Sequence, residues 1–449
     1  MNIQSKEKIF YLELILLIMI LSLAGYLRIN NIDSIPGWYS DEGTIVDIAK
    51  NLANGKIKYL AIKNSTLVAA RLPLFPLFVA GLFKLFGVSI TILRCFSAVL
   101  GLLSVGLLYF MIRSILGKKG IYLALTSAFL LTIYPKHILY NRLGFSYNVL
   151  PLLVILIIWF LWKYLDTSRY KWIIFAGFLV GIGTTSELIM FIFLPVVLII
   201  GLSRSFKYSI LSLLISFVPF GFYSVISIIM HKEIFIYDLT FTLFRLGSIP
   251  LIAQYPYIAF NFASLVIKDY WWSAGIIGFF MLTDERFKKL VFCMFLIPLL
   301  ILSRTASLPG LGFYYLIPLL PIIAVGFASL MVKGLPYGIN YMHNSFSNYL
   351  KILGWENNKK GKYQIRKLLT FFATSLIVFI IILSPVVITM ALDIYQVNNG
   401  MSTDLGSVLV NQEDAQDVLE YINDQITPDD LVIASPALAW AIESNAADF

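Results

Sequence analysis

The chain has 449 residues, 59% hydrophobic and 15% aromatic, with 13% charged and a mean hydropathy of +0.84. These values place it among polytopic α-helical membrane proteins rather than soluble ones, because apolar runs long enough to cross a bilayer, about 20 residues each, recur along it. The formal charge of +9 does not point to nucleic acid: no soluble basic domain or base-reading motif accompanies it, and its inner share is accounted for by topology and by attraction to anionic membrane lipids.

The first apolar run, residues 9–27, is longer than a signal-peptide core and lacks a small-x-small cleavage site, so it reads as a retained membrane helix. Glu13 within it lies toward the cytoplasm and reads as snorkelling to the interface. Further spans are predicted near 92–112, 120–135, 147–165, 171–186, 188–202, 208–230, 268–283, 289–304, 313–333 and 368–392, about eleven in all, with the N-terminus in the cytoplasm. Most Lys and Arg then fall inside, in "RSILGKK", "KYLDTSRYK", "SRSFK", "DERFKK" and residues 333–367. This arrangement requires that residues 71–87 do not cross; Pro73 and Pro76 suit a juxtamembrane helix there, with Lys84 reaching the interface.

Residues 28–91 therefore form the first extracytoplasmic loop. Ser40 is the predicted cap of a helix whose first turn holds Asp41 and Glu42, which continues through "TIVDIAKNLANG" with Ile45, Ile48, Ala49 and Leu52 on one face, and which stops at Gly55. Such an amphipathic helix is expected to lie on the membrane surface. One reading of the acidic pair is local: carboxylates in a first turn favour the helix dipole by about 0.3–1 kcal/mol. The other is a site, because Arg71, Arg94, Arg142 and Arg304 all fall at the outer membrane boundary. Guanidinium groups grip a phosphate bidentately, although each alone is also explained by snorkelling.

Glu187, between the fifth and sixth spans near the outer face, is a further candidate, since carboxylates at membrane depth are costly. Trp38, Tyr39, Tyr255, Tyr257, Trp271, Trp272, Tyr314 and Tyr315 read either as an interfacial belt or as platforms for a sugar. Cys95 and Cys293 fall near opposite membrane faces, and the three His are scattered, with no metal-ligand spacing. Residues 1–392 make one membrane module. In residues 393–449 Lys and Arg are absent, and an amphipathic helix at 412–425 is followed by a strand at "DLVIAS"; this segment reads either as an α/β domain cut short or as a tail docked on the membrane module.

An acidic pair after the first helix, then "IAKNLANGKIKY", then Arg71-Leu72-Pro73-Leu74, Phe86-Gly87 and Arg94-Cys95-Phe96-Ser97-Ala98 resembles the amino-terminal half of the GT-C glycosyltransferases. Within them the pattern is most similar to the protein O-mannosyltransferases and the aminoarabinose transferases of lipid A. "NRLGFSYNVLPL" resembles that family's Ser-Arg outer loop and "GFYYLIPLLPIIAVGFASL" its late Tyr-x-x-Pro-Leu-x-Pro helix. Tyr147 and Asn148 stand where many relatives carry an Asp, and Glu187 stands where relatives often carry a Lys.

The resemblance implies an all-α GT-C membrane fold and a polyprenyl- or dolichyl-phosphate sugar donor. The acceptor would be a hydroxyl on a lipid, protein or glycan, presented from the extracytoplasmic face of the cell membrane. It implies Asp41 as general base in an inverting displacement, with Arg71, Arg94, Arg142 and Arg304 neutralising the departing phosphate. Glu42 would orient the acceptor or share a divalent cation, Mg or Mn, with Asp41; no further acidic ligands are evident, so no metal or other cofactor is assigned. Two alternatives stand beside it. A transporter or flippase of lipid-linked sugars predicts mid-membrane charges and repeat symmetry, whereas here the notable charges gather at the outer boundary; a non-catalytic GT-C-like subunit would keep the fold without the reaction.

Overall fold

The structure, a computed structural model, describes residues 3–57, 72–244, 263–264, 266–306, 313–340, 344, 371–372, 375–376, 380, 383–401 and 409–447. Its frame is helical. The first helix, α1 (Ile3–Ile29), packs on α4 (Ile90–Leu116), which turns back through Gly117–Gly120 into α5 (Ile121–Thr132). Next come α7 (Leu150–Thr167), α8 (Tyr170–Thr184), α9 (Leu194–Leu202) and α10 (Phe206–Phe244), the last kinked at His231. The second half contributes α11 (Tyr270–Phe279), α12 (Glu285–Ala306), α13 (Leu320–Ser329) and α14 (Ser384–Asn399). Among the described residues five helical stretches are long and apolar enough to cross a membrane: Glu7–Ile29, Ile90–Thr132, Ser146–Thr167, Phe206–Thr240 and Tyr314–Asn340. Only 17% of the first and 11% of the fourth are covered by protein, so their apolar side chains face lipid. The chain is an all-α, multi-pass membrane protein.

Because lipid is as apolar as a side-chain core, helices in it associate through close backbone approach rather than hydrophobic burial. Gly177 and Gly181 of α8 lie against the backbone of Ser212 and Ser216 on α10, where even a methyl group would collide with a carbonyl. The serine hydroxyls are satisfied within their own helix, Ser212 donating to the Ser209 carbonyl at 2.8 Å and Ser216 to that of Leu213 at 2.7 Å. Gly275 and Gly278 of α11 meet Gly326 of α13 in the same manner.

Glu13 departs from the snorkelling expectation. Its carboxylate is buried against α4, where Arg113 Nε and the Tyr109 hydroxyl each donate to it at 2.6 Å. A partner on the neighbouring helix satisfies the charge without the interface. Trp271 and Trp272 likewise belong to the core rather than to a belt: Trp272 Nε1 donates to the Tyr134 hydroxyl at 3.0 Å, which donates to Asp269 at 2.8 Å. Tyr255 and Tyr257 lie outside the described residues.

Four short elements gather at one end of the bundle: β1 (Trp38–Tyr39), α2 (Ser40–Ala53), α3 (Leu74–Phe86) and α6 (Pro135–Asn141). At 13 residues α3 is too short to cross a bilayer. The helix α2 starts one residue earlier than predicted, with Tyr39 rather than Ser40 at its N-cap; its last helical residue is Ala53, and Gly55, two residues on with a φ of 72°, supplies the left-handed stop. It does not lie open on a surface, because Glu42 through Ala49 are all buried. The cover on one side is the C-terminal segment. Strand β2 (Leu409–Val410) pairs antiparallel with β1, and α16 (Pro436–Ala439) presses on α2 at Gly43, where a side chain would strike the Pro436 carbonyl. Trp440 packs on Trp38 with ring centroids 5.6 Å apart, and its carbonyl accepts from Lys50 Nζ at 3.1 Å. Between these lie the predicted amphipathic helix, α15 (Gln412–Gln425), and the strands β3 (Leu431–Ile433) and β4 (Asn445–Ala447), which pair in parallel.

Candidate active site

The acidic pair is split by its surroundings. Glu42, the third residue of α2, turns inward and is fully buried. Arg94, near the start of α4, holds it bidentately, Nε donating to one carboxylate oxygen at 2.8 Å and Nη2 to the other at 2.6 Å. The backbone N–H groups of Gly144 (2.7 Å) and Tyr39 (3.1 Å) complete its shell. One side chain thus ties the first loop, α4 and the segment after α6 together. Asp41, its neighbour, is half-buried.

Arg94 and Arg142 differ from the expectation drawn from their types. Both are fully buried, and both turn their guanidinium groups to protein rather than outward to a lipid phosphate. Arg94 donates to the carbonyls of Ile32 (2.9 Å), Asp33 (3.1 Å) and Gly37. Arg142, just past α6, donates to those of Leu27 (3.0 Å), Asn30 (2.6 Å), Asn31 (3.1 Å) and Ile35 (3.1 Å). The reason is the irregular backbone of residues 30–37, where the Asn31 carbonyl accepts the Ile35 N–H at 3.0 Å but the segment as a whole forms no regular ladder, so its carbonyls are satisfied under cover by side chains. Burial and the adjacent Arg94 charge pull Arg142 down to about 10, which leaves it cationic at neutral pH.

A second layer supports the first. Arg28, at the end of α1, is also fully buried; it donates to Asn141 Oδ1 at 2.9 Å, to the Leu131 and Thr132 carbonyls at 3.2 Å, and to His137 Nδ1 at 2.8 Å. Burial and that guanidinium hold His137 well below its ordinary range, so it is neutral. Asn141 in turn donates to Asn148, whose own amide donates to the carbonyls of Tyr140 (2.7 Å) and Leu143 (3.0 Å). At this place an amide is required, because a carboxylate has no proton to give those carbonyls. Sequence reasoning did not pick out Arg28, Asn141 or His137; the density of polar residues in "HILYNRLGFSYN" was the available signal.

From Tyr39 an aromatic strip leads away: Phe145 stacks on it at 5.5 Å, and Tyr314 and Tyr147 follow with centroid spacings of 5.8 and 5.1 Å. At the far end Glu187 is half-buried and accepts from the Ser146 hydroxyl. Two residues before Glu187, the Thr185 carbonyl accepts from the Leu74 N–H at 3.0 Å. Thr185 also lines an apolar groove of about 320 Å³ walled by Leu52 of α2, Leu74 and Leu77 of α3, and Phe222, Ile226 and Phe235 of α10. Arg71 lies outside the described residues; Arg304 is carried on α12, with its side chain outside them.

A divalent cation shared by Asp41 and Glu42 does not fit this donor set, since both Glu42 oxygens already face Arg94 and backbone N–H groups. Among the described residues no group of three His, Cys, Asp or Glu is placed to hold a metal ion.

The helical frame, with short helices and a β-paired loop at one end, is similar in fold to solved structures of membrane glycosyltransferases. A profile described as dolichyl-phosphate-mannose-protein mannosyltransferase matches residues 70–229. The structure is similar to that of ArnT from Cupriavidus metallidurans bound to undecaprenyl phosphate, with a TM-score of 0.62, 16% identity, and coverage of 97% of this chain and 85% of that one. It is also similar to the archaeal oligosaccharyltransferase AglB from Archaeoglobus fulgidus in complex with an inhibitory peptide and a dolichol-phosphate, at a TM-score of 0.52 and 13% identity, covering 97% of this chain and 64% of that one. No curated protein sequence matches the chain. The resemblance seen in the motifs therefore extends to the fold of the whole chain.

Proposed function

We propose that the chain is a membrane glycosyltransferase that moves a sugar from a polyprenyl- or dolichyl-phosphate to a hydroxyl acceptor on a lipid, protein or glycan at the extracytoplasmic face. The observation that carries this reading is the asymmetry of the acidic pair: Arg94 locks Glu42 inward, and Asp41 sits half-buried on the helix whose other end, at Leu52, walls a groove of lipid-tail character. In this reading Glu42 fixes the first turn of α2, and Asp41 accepts the proton of the acceptor hydroxyl as its oxygen attacks the anomeric carbon. The bond from that carbon to the phosphate oxygen breaks on the opposite face, so configuration inverts. Arg71 directly precedes the segment whose Pro73, Leu74 and Leu77 line the groove, and with Arg304 it takes the charge of the departing phosphate; Arg94 and Arg142 shape the loop instead. Residues 1–392 form the transferase module, with the N-terminus in the cytoplasm, and residues 393–449 cover α2 from outside.

The test is a transfer assay in membranes with labelled polyprenyl-phosphate sugars, comparing wild type with Asp41→Asn. Loss of a general base is expected to lower the rate by about 10²-fold or more with the unfolding temperature unchanged. Transfer by the variant at the wild-type rate would remove Asp41 from the reaction.

A further inference from the structure

We propose that the end of the bundle opposite the acidic pair carries a binding site for the phosphate group of an anionic phospholipid, set between Lys119, Lys333 and the buried hydroxyl of Ser329. This site is separate from the donor site and stands whether or not the chain transfers a sugar.

Its place follows from α4. Arg94 lies beside Glu42, and the helix continues from there to Leu116. At about 1.5 Å per residue that is a rise of about 33 Å, close to the thickness of a bilayer's hydrocarbon core. Beyond Leu116 the chain reverses through Gly117–Gly120, which carries Lys119, and enters α5. Across from this turn α11 and α13 meet so closely that a methyl group on Gly278 would strike the Gly326 carbonyl. That contact sets the turn after α11, residues 281–284, beside the Leu330–Gly334 turn that carries Lys333. Between these turns lies a hollow of about 60 Å³. Since a water needs roughly 10–15 Å³ measured this way, the hollow has room for a few waters or for one phosphate group.

The polar lining suits an anion. Lys119 and Lys333 are exposed, and among the described residues neither is in an ion pair. One carboxylate joins them, that of Asp284, which accepts from the Phe287 N–H at 2.8 Å at the start of α12. Two ammonium groups against one carboxylate leave a single positive charge, the complement of a phosphodiester. Ser329, the last residue of α13, is 1% exposed, and its hydroxyl has no hydrogen-bond partner among the described residues. Elsewhere Ser104 (2.8 Å), Ser127 (2.7 Å) and Ser212 (2.8 Å) each donate to a carbonyl of their own helix. A buried hydroxyl left without a partner at the wall of a hollow is a donor for what enters it.

Lysines alone would not define a site, because any lysine at a membrane face meets lipid phosphate. Here two cations from separate turns flank a walled hollow with a buried donor. Leu123 and Val332 add apolar wall, and Tyr122 stands 73% exposed at its side, as tyrosines do at headgroup level. Such a wall covers the glycerol and first methylenes of a lipid, which a free phosphate lacks.

The experiment is native mass spectrometry of the purified full-length chain in detergent, at an ionic strength of about 0.15 M to screen exposed charges. The probes are phosphatidylglycerol, diacylglycerol with the same chains, and inorganic phosphate. Wild type is expected to bind phosphatidylglycerol about 10-fold more tightly than diacylglycerol. Lys119→Gln with Lys333→Gln should lower that affinity about 10-fold. Lys118→Gln with Lys289→Gln removes as much charge from the same end, outside the hollow, and should lower it no more than about twofold. Ser329→Ala changes no charge and should lower it about fivefold; without lipid it should melt no lower than wild type, since no partner is lost. A wild type that holds phosphatidylglycerol no better than diacylglycerol overturns the site. Equal losses in the two lysine pairs, or no loss in Ser329→Ala, reduce it to surface attraction and overturn it as well. Inorganic phosphate that displaces phosphatidylglycerol at equal concentration overturns a lipid as the occupant, and failure to displace it supports one.

Discussion

The first outer loop and the contact between α8 and α10 satisfy their polar groups by opposite means. In the loop the backbone is irregular and lies under protein, and its carbonyls from Leu27 to Gly37 face the guanidinium groups of Arg94 and Arg142. At the helix contact the backbone satisfies itself without charged side chains: Gly177 and Gly181 with Ser212 and Ser216 let two helices touch. The difference teaches when a membrane-boundary arginine is a ligand for phosphate. Five N–H donors in a rigid fork suit a phosphate, but they suit a cluster of unpaired carbonyls equally well. Where irregular backbone sits within reach, it takes the arginine first.

The comparison breaks most sharply at Arg94. Arg94→Met leaves the Glu42 carboxylate buried without its counter-charge, and removal of one partner from a buried pair costs about 3–5 kcal/mol. The variant is expected to unfold well below wild type in a thermal melt in detergent. The double replacement, Arg94→Met with Glu42→Met, removes both charges and should recover much of that loss. If Arg94→Met alone melted within a degree of wild type, the pair would not be the fastening of the loop. The corresponding insult on the other side is smaller. Gly181→Val drives a side chain into the backbone of Ser216, and overpacking of this kind costs about 1–3 kcal/mol; a melt unchanged by it would show that α8 and α10 are not in intimate contact.

These two regions also differ in how far they could be read beforehand. Apolar runs placed α1, α4, α5, α7, α8 and α9 near their observed bounds, because in lipid a helix must be apolar nearly throughout. The acidic pair and the arginines stood out for the same reason, as charges where charge is scarce. Their partners did not. Whether Arg142 faces a phosphate or the Asn30 carbonyl depends on the path of residues 28–37, which follows no period and is set by contacts from α4 and α6 far along the chain. The cover over α2 was equally hidden, since pairing of Trp38 with Val410 joins residues with no local signal for each other.

The smallest expected effect separates the two regions by pH. His137 lies in the layer behind the loop, neutral because burial and the Arg28 guanidinium 2.8 Å from its Nδ1 disfavour a second charge. His137 Nδ1 faces the Arg28 guanidinium at 2.8 Å and the Leu131 carbonyl at 3.1 Å. A base whose folded value is depressed binds fewer protons when folded than when unfolded. Its contribution is therefore present in full above the unfolded value near 6.5 and declines as pH falls below it, by at most about 1.4 kcal/mol per pH unit. Melts of wild type between pH 7.5 and 5 should fall more steeply than those of His137→Gln, which keeps an acceptor for Arg28 and cannot titrate. Gly181→Val lowers the melt at every pH without altering that slope, because the α8–α10 contact around it is made of glycines and serines. A slope shared by wild type and His137→Gln would mean that the second layer opens or takes a proton in the folded state, and the loop would then be less sealed than its arginines imply.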